Sequence, residues 1–144
     1  GQDMKISARN QLKGAISAVA EGAVNGVVSI DLGSTQIKAD ITMEAIKDLG
    51  LKEGMDAVAI VKASNVMFAA GTERVAGISA LNQLAGTVAS AKKGAVNGHV
   101  AIETADGARI MGSITNEAID ELGLAEGGKA LAIVKATDVI VGVE

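Results

Sequence analysis

The chain has 144 residues with 17 acidic and 13 basic side chains, a net charge of −4, which excludes a generic nucleic-acid surface because that needs a basic footprint. It has no Cys, no Trp, no Tyr, one Phe (Phe68) and one His (His99), which removes disulfides, thiol nucleophiles, a zinc-type ligand set and the stacking platforms of single-strand binders. No apolar run long enough to cross a membrane and no signal peptide is visible, so a cytoplasmic location without a membrane partner is expected.

The natural chain is expected to begin at Met4, with Gly1-Gln2-Asp3 foreign to it. From there the sequence states nearly the same unit twice. Residues 6–30 align with 78–102 at 14 of 25 identical positions, and 37–68 with 110–141 at 18 of 32, the second copy having one residue more between the blocks. This is a duplication of one small unit. The expected organisation is a first domain over 4–70, a linker over 71–76 and a second domain over 77–144. Units of this size bury little surface alone, and a core of Ala, Val, Ile and Leu adds little aromatic area, so the halves or several chains are expected to share a core.

Each unit opens with a polar phrase, Ser7-Ala8-Arg9-Asn10 or Ser79-Ala80-Leu81-Asn82, and a leading strand near Gln11–Val19. A tight turn is expected at Asn25-Gly26 and Asn97-Gly98, since Asn-Gly favours positive φ. In Val27–Leu32, Val28, Ile30 and Leu32 alternate onto one strand face. Turns are expected at Gly33-Ser34 and Asp106-Gly107, where the extra residue falls. A short helix follows over Thr42–Leu49, capped by Thr42 and stopped by Gly50, with Thr115–Leu122 and Gly123 as its counterpart. After a turn at Glu53-Gly54 comes a β-rich run, Ala57–Ser64. The unit reads as strand–strand–strand–helix–strand plus the leading strand: all-β with short helices, two tandem OB-like barrels in outline.

Three polar segments occur in both copies: the opening phrase, Thr42 or Thr115, and Lys62-Ala63-Ser64 or Lys135-Ala136-Thr137. With the first N–H groups of the helix they offer hydroxyls, amides, one guanidinium and ammoniums, and no carboxylate, a set of donors suited to a tetrahedral anion. Each also has a plainer reading: Thr42 as a helix cap, Lys62 as a solvated strand end, Ser7 and Asn10 as ties for the chain start. No Ser/His/Asp set, paired carboxylates or phosphate-loop spacing occurs, so neither a catalytic residue nor a metal ligand is expected, and the chain is not expected to be an enzyme.

The opening Ser-Ala-Arg-Asn-Gln, the Gly-Ala-Val-Asn turn, the Ile-Thr-x-Glu-Ala helix start and the Val-Lys-Ala-Ser strand end together resemble the molybdate-binding Mop domain, a Mop/TOBE-type barrel, and the tandem form resembles the di-domain molbindins. That resemblance implies molybdate or tungstate bound as the oxyanion at interfaces between domains, no other cofactor, and a homotrimer. It implies Ser7, Arg9, Thr42, Lys62, Ala63 and Ser64 as ligands in the first copy and Ser79, Thr115, Lys135, Ala136 and Thr137 in the second, with Asn10 and Asn82 either ligands or loop-ordering residues. A second kind of site near a threefold axis is implied without residues. Leu81 stands where the first copy has Arg9, so two unequal site classes are expected, the poorer lacking a guanidinium worth about 1.5–3 kcal/mol as charged hydrogen bonds. Storage or homeostasis of the anion is the expected role. The alternative is an oxyanion-sensing module that docks on a transporter or transcription partner.

Overall fold

The computed structural model describes residues 5–8, 10–80 and 82–144. The expected start at Met4 and the Arg9/Leu81 difference lie outside the described residues. The first copy forms β1 (Asn10–Ala20), β2 (Asn25–Asp31), β3 (Gln36–Thr42), α1 (Met43–Leu49) and β4 (Asp56–Val61), then a 3-10 turn (Ala63–Asn65) and β5 (Met67–Ala70). The second copy repeats this as β6 (Asn82–Lys93), β7 (Asn97–Glu103), β8 (Arg109–Thr115), α2 (Asn116–Glu121), β9 (Lys129–Val134), a 3-10 turn (Ala136–Asp138) and β10 (Ile140–Gly142).

The strands make two five-stranded antiparallel sheets, ordered β10-β4-β1-β2-β3 and β5-β9-β6-β7-β8. Each sheet therefore takes its last strand from the other copy. The stretches 4–70 and 77–144 are units of sequence, and neither carries a whole sheet by itself. The exchange also corrects the expected element order: three strands precede each helix, and the strand after β4 leaves for the other sheet. One buried apolar cluster runs through both copies, from Ile16, Ile30 and Ile37 to Val88, Ile102 and Ile110, with Phe68 and Val141 carried across on the exchanged strands.

Asn25-Gly26 and Asn97-Gly98 do not form the expected turns. They begin β2 and β7, and neither glycine has positive φ. The reason for glycine there is space. A Cβ on Gly26 would meet Ile46 Cδ1 at 2.7 Å and the Ala20 carbonyl oxygen at 2.9 Å, so the helix can lie against the strand only if the side chain is missing. Gly50, by contrast, does stop α1 in the left-handed region, at φ 62°.

Strand β9 is apolar on both faces. Its outer side chains, Leu131 and Ile133, are covered by Val75 and Ala80 from the segment that leads into β6. Gln83 ties that segment down, donating to the Val75 carbonyl at 3.0 Å and accepting from the Val75 N–H at 2.7 Å. The second opening phrase is thus laid across the sheet before β6 begins.

Candidate functional site

The exchanged strands regroup the candidate residues. The second 3-10 turn packs on β3, and the first packs on β8. Thr42 of the first copy and Thr137 of the second line one cavity of about 310 Å³, together with Ile41, Ala45, Val139 and Ile140. In the other sheet, the turn holding Ala63 and Ser64 packs on β8, the strand that ends at Thr115. Thr42 of the first copy therefore stands with Thr137 of the second, and each 3-10 turn packs on the other copy's threonine-bearing strand, in place of the copy-by-copy grouping expected from sequence.

Strand register sets the asparagine of each opening phrase beside one of these turns. Asn82 pairs with Val134 across β6 and β9, next to the strand end from which Lys135, Ala136 and Thr137 follow. Asn10 pairs with Val61 in the same way, next to Lys62, Ala63 and Ser64. Ser7, Lys62, Ser64, Ser79, Lys135 and Thr137 are all exposed, while Ala136 is buried and anchors its turn.

Both threonines are helix caps. Thr42 Oγ1 accepts from the Ala45 N–H at 3.1 Å, and Thr115 Oγ1 accepts from the Ala118 N–H at 3.1 Å. Capping uses the acceptor and leaves the hydroxyl proton to be donated elsewhere, so the cap and ligand readings are compatible. The helices themselves offer less than the sequence suggested. They have seven and six residues, and their leading N–H groups are engaged: Met43 donates to the Val24 carbonyl at 2.8 Å and Asn116 to the Val96 carbonyl at 2.9 Å. Hydroxyls and the lysines are left as the main donors.

The asparagines do something the sequence showed only as a choice of two roles. Asn82 is buried, donates to the Lys38 carbonyl at 2.8 Å and accepts from the Lys38 N–H at 2.7 Å. Asn10, equally buried, donates to the Met111 carbonyl at 2.7 Å and accepts from the Met111 N–H at 2.7 Å. Each amide thus clamps its opening phrase to the other copy's edge strand. A third link between the copies was missed altogether: Asp106, in the turn that is one residue longer in the second copy, accepts from Thr104 Oγ1 at 2.6 Å and from the Ser34 N–H at 2.8 Å. These bonds hold its carboxyl down at about 2. An acidic residue in the turn that carries the insertion was the sequence signal for it.

Among the described residues, no group of three or more His, Cys, Asp or Glu side chains could hold a metal ion, and no helix is long and apolar enough to cross a membrane. The donor set suits an anion that keeps its own oxygens.

A sequence model of the TOBE domain matches residues 6–68 and again 78–141. The chain belongs to the TOBE family. Its two TOBE domains are similar to the cytoplasmic molybdate-binding protein ModG in a crystal form with molybdate bound, at 44% identity and a TM-score of 0.91, covering 98% of this chain and 100% of that one. The molybdenum transport protein ModE of Herbaspirillum seropedicae is 40% identical over 98% of this chain and 52% of its own length. The molybdenum-pterin-binding protein MopA of Rhodobacter capsulatus is 38% identical over 95% of this chain and 52% of its own. The TOBE pair thus spans about half the length of these two curated relatives.

Proposed function

We propose that this tandem TOBE chain binds molybdate or tungstate as the intact oxyanion, in the cytoplasm, for storage or homeostasis, without catalysing a reaction. One observation carries the reading: Thr42 and Thr137, hydroxyl residues from different copies, line one cavity, and the 3-10 turn that follows Lys62 packs on β8, the strand that ends at Thr115. The likeness to molybdate-bound ModG supports the choice of anion. One site class is then Ser79, Thr42, Lys135, Ala136 and Thr137; the other is Ser7, Arg9, Thr115, Lys62, Ala63 and Ser64. In both, charge comes from Lys or Arg and directional donors come from hydroxyls and main chain.

A single chain does not enclose the anion. The Thr42–Thr137 cavity is rimmed by exposed apolar side chains, Leu49 and Ile140, and β10 forms the open edge of its sheet. Met67 stands exposed on β5, the corresponding edge of the other sheet. Unpaired, apolar strand edges of this kind suit burial against further copies. The assembly proposed is the homotrimer, and anion bound at its interfaces stabilises it by linkage.

A second reading, an anion-sensing module within a larger regulator or transport system, is favoured by the span: the ModE relative is about twice as long as the matched region. It differs in requiring a partner for any response to the anion.

Calorimetric titration of the full chain with molybdate, tungstate and sulfate, with the assembly mass measured in parallel, tests the proposal. Tight uptake of the first two by an oligomer, with weak uptake of sulfate, is expected. Arg9→Leu should weaken one class by about 1.5–3 kcal/mol. No heat from any of the three anions on assembled protein would refute the oxyanion reading.

A further inference from the structure

We propose that Asn82 and Asn10 are positioning residues, each setting the geometry of one anion-site class without touching the anion. This rests on the site reading above and extends it. Strands β3 and β8 are sheet edges, so among the described residues no strand pairs with their outward main-chain groups. At Lys38 and Met111 the outward N–H and C=O are both taken by one buried amide, which acts as a single rung of strand pairing between the copies. The side-chain amide supplies a donor and an acceptor side by side in that span.

The joint lies where both halves of a site begin. From Lys38, β3 runs four residues to Thr42. From Asn82, the chain runs back three residues to Ser79 and, through its register with Val134, reaches the Lys135–Thr137 turn. Moving the Asn82–Lys38 joint therefore moves Thr42 relative to Ser79, Lys135 and Thr137. The Asn10–Met111 joint stands in the same relation to Thr115, Ser7, Lys62 and Ser64. Each joint governs one site class, so the two effects are separable.

The test uses full-length Asn82→Asp and Asn10→Asp. A carboxylate keeps the acceptor for the N–H but loses the donor and faces a carbonyl oxygen. Molybdate titration is read beside the thermal midpoint without ligand, with Thr42→Val and Thr115→Val marking the two classes. Asn82→Asp is expected to weaken the class lost in Thr42→Val by roughly 10- to 100-fold, the range in which outer partners of a bound ion act, and to leave the other class within about twofold. Asn10→Asp should do the reverse. If an Asp variant does not fold, Asn82→Ser and Asn10→Ser, which leave room for a bridging water, make the same comparison. Equal weakening of both classes, or a lowered midpoint with both affinities kept, would show the amides to be plain structural glue and overturn the proposal. If wild-type protein took up no molybdate at all, the site reading would fail first and the positioning role with it.

Discussion

In the sheet that receives β5, the Phe68 ring lies over Gly112, in space a Cβ on that glycine would occupy. In the sheet that receives β10, the sequence counterparts of these residues are Val141 and Ala39. A large side chain on one exchanged strand goes with a missing one on the strand opposite, and a small side chain goes with a kept methyl. The copies have therefore diverged as complementary partners. An exchanged strand is fitted to the sheet that receives it, so the two ends of the molecule are no longer interchangeable.

Truncation separates the two ends most strongly. Phe68→Ala should cost about 3–5 kcal/mol in urea unfolding. Val141→Ala, removing less buried volume, should cost clearly less; equal losses would deny that Phe68 carries the second sheet's closure. Next comes the glycine. Gly112→Ala should cost about 1–3 kcal/mol by overpacking against the ring, and most of that loss should vanish when Phe68→Val is made with it, recreating the first sheet's pair. A double-mutant cycle showing simple additivity would remove the claim of fitted partners.

The helix starts give a smaller contrast. Met43 is buried at the start of α1, with its sulfur over Gly26, whereas Asn116 in the same place on α2 has a buried Oδ1 without a hydrogen-bond partner and sits over Gly98. Its Nδ2 does donate to the Gly94 carbonyl at 2.8 Å, which offsets part of the penalty. Asn116→Met should thus stabilise by about 1 kcal/mol, read as a higher urea midpoint at unchanged slope.

Asp106 gives the smallest contrast, visible only through pH. Its folded value lies at about 2 against 3.8 for the free side chain, so folding favours the charged form. The stability this contributes is fully present above pH 3.8 and is lost as pH falls through about 2. The stability gap between wild type and Asp106→Asn should accordingly be constant from neutral pH down to about 4 and then narrow. A gap that widened in acid would mean that the hydrogen bonds from Ser34 and Thr104 do not favour the carboxylate.

Much of the fold was legible because it is written in local chemistry. Thr42 before an apolar-periodic stretch and Gly50 after it mark the helix ends, and the alternation through Val28 and Ile30 marks a strand. The exchange was not legible. β5 and β10 have four and three residues, too few for a period, and duplication gives each of them two nearly identical sheets to choose from. The 3-10 turns lie where the chain passes from one sheet to the other, a matter of backbone direction that residue types do not record. Asn25-Gly26 misled for a related reason: glycine served close packing against Ile46, while its turn chemistry went unused. At the site, the residue types were readable one by one, but their grouping followed the exchange and was hidden with it. The asparagines stood out by recurring in both copies, yet their partners lie 44 and 101 residues away.

The central claim is that each anion site is built from both copies. A double-mutant cycle on molybdate affinity tests it most directly, pairing Thr42→Val once with Thr137→Val and once with Ser64→Ala. Sites built across the copies require Thr42 and Thr137 to be coupled within one class, while Thr42 and Ser64 act on different classes and add independently. Coupling of Thr42 with Ser64, and additivity with Thr137, would contradict the claim and return each site to a single copy.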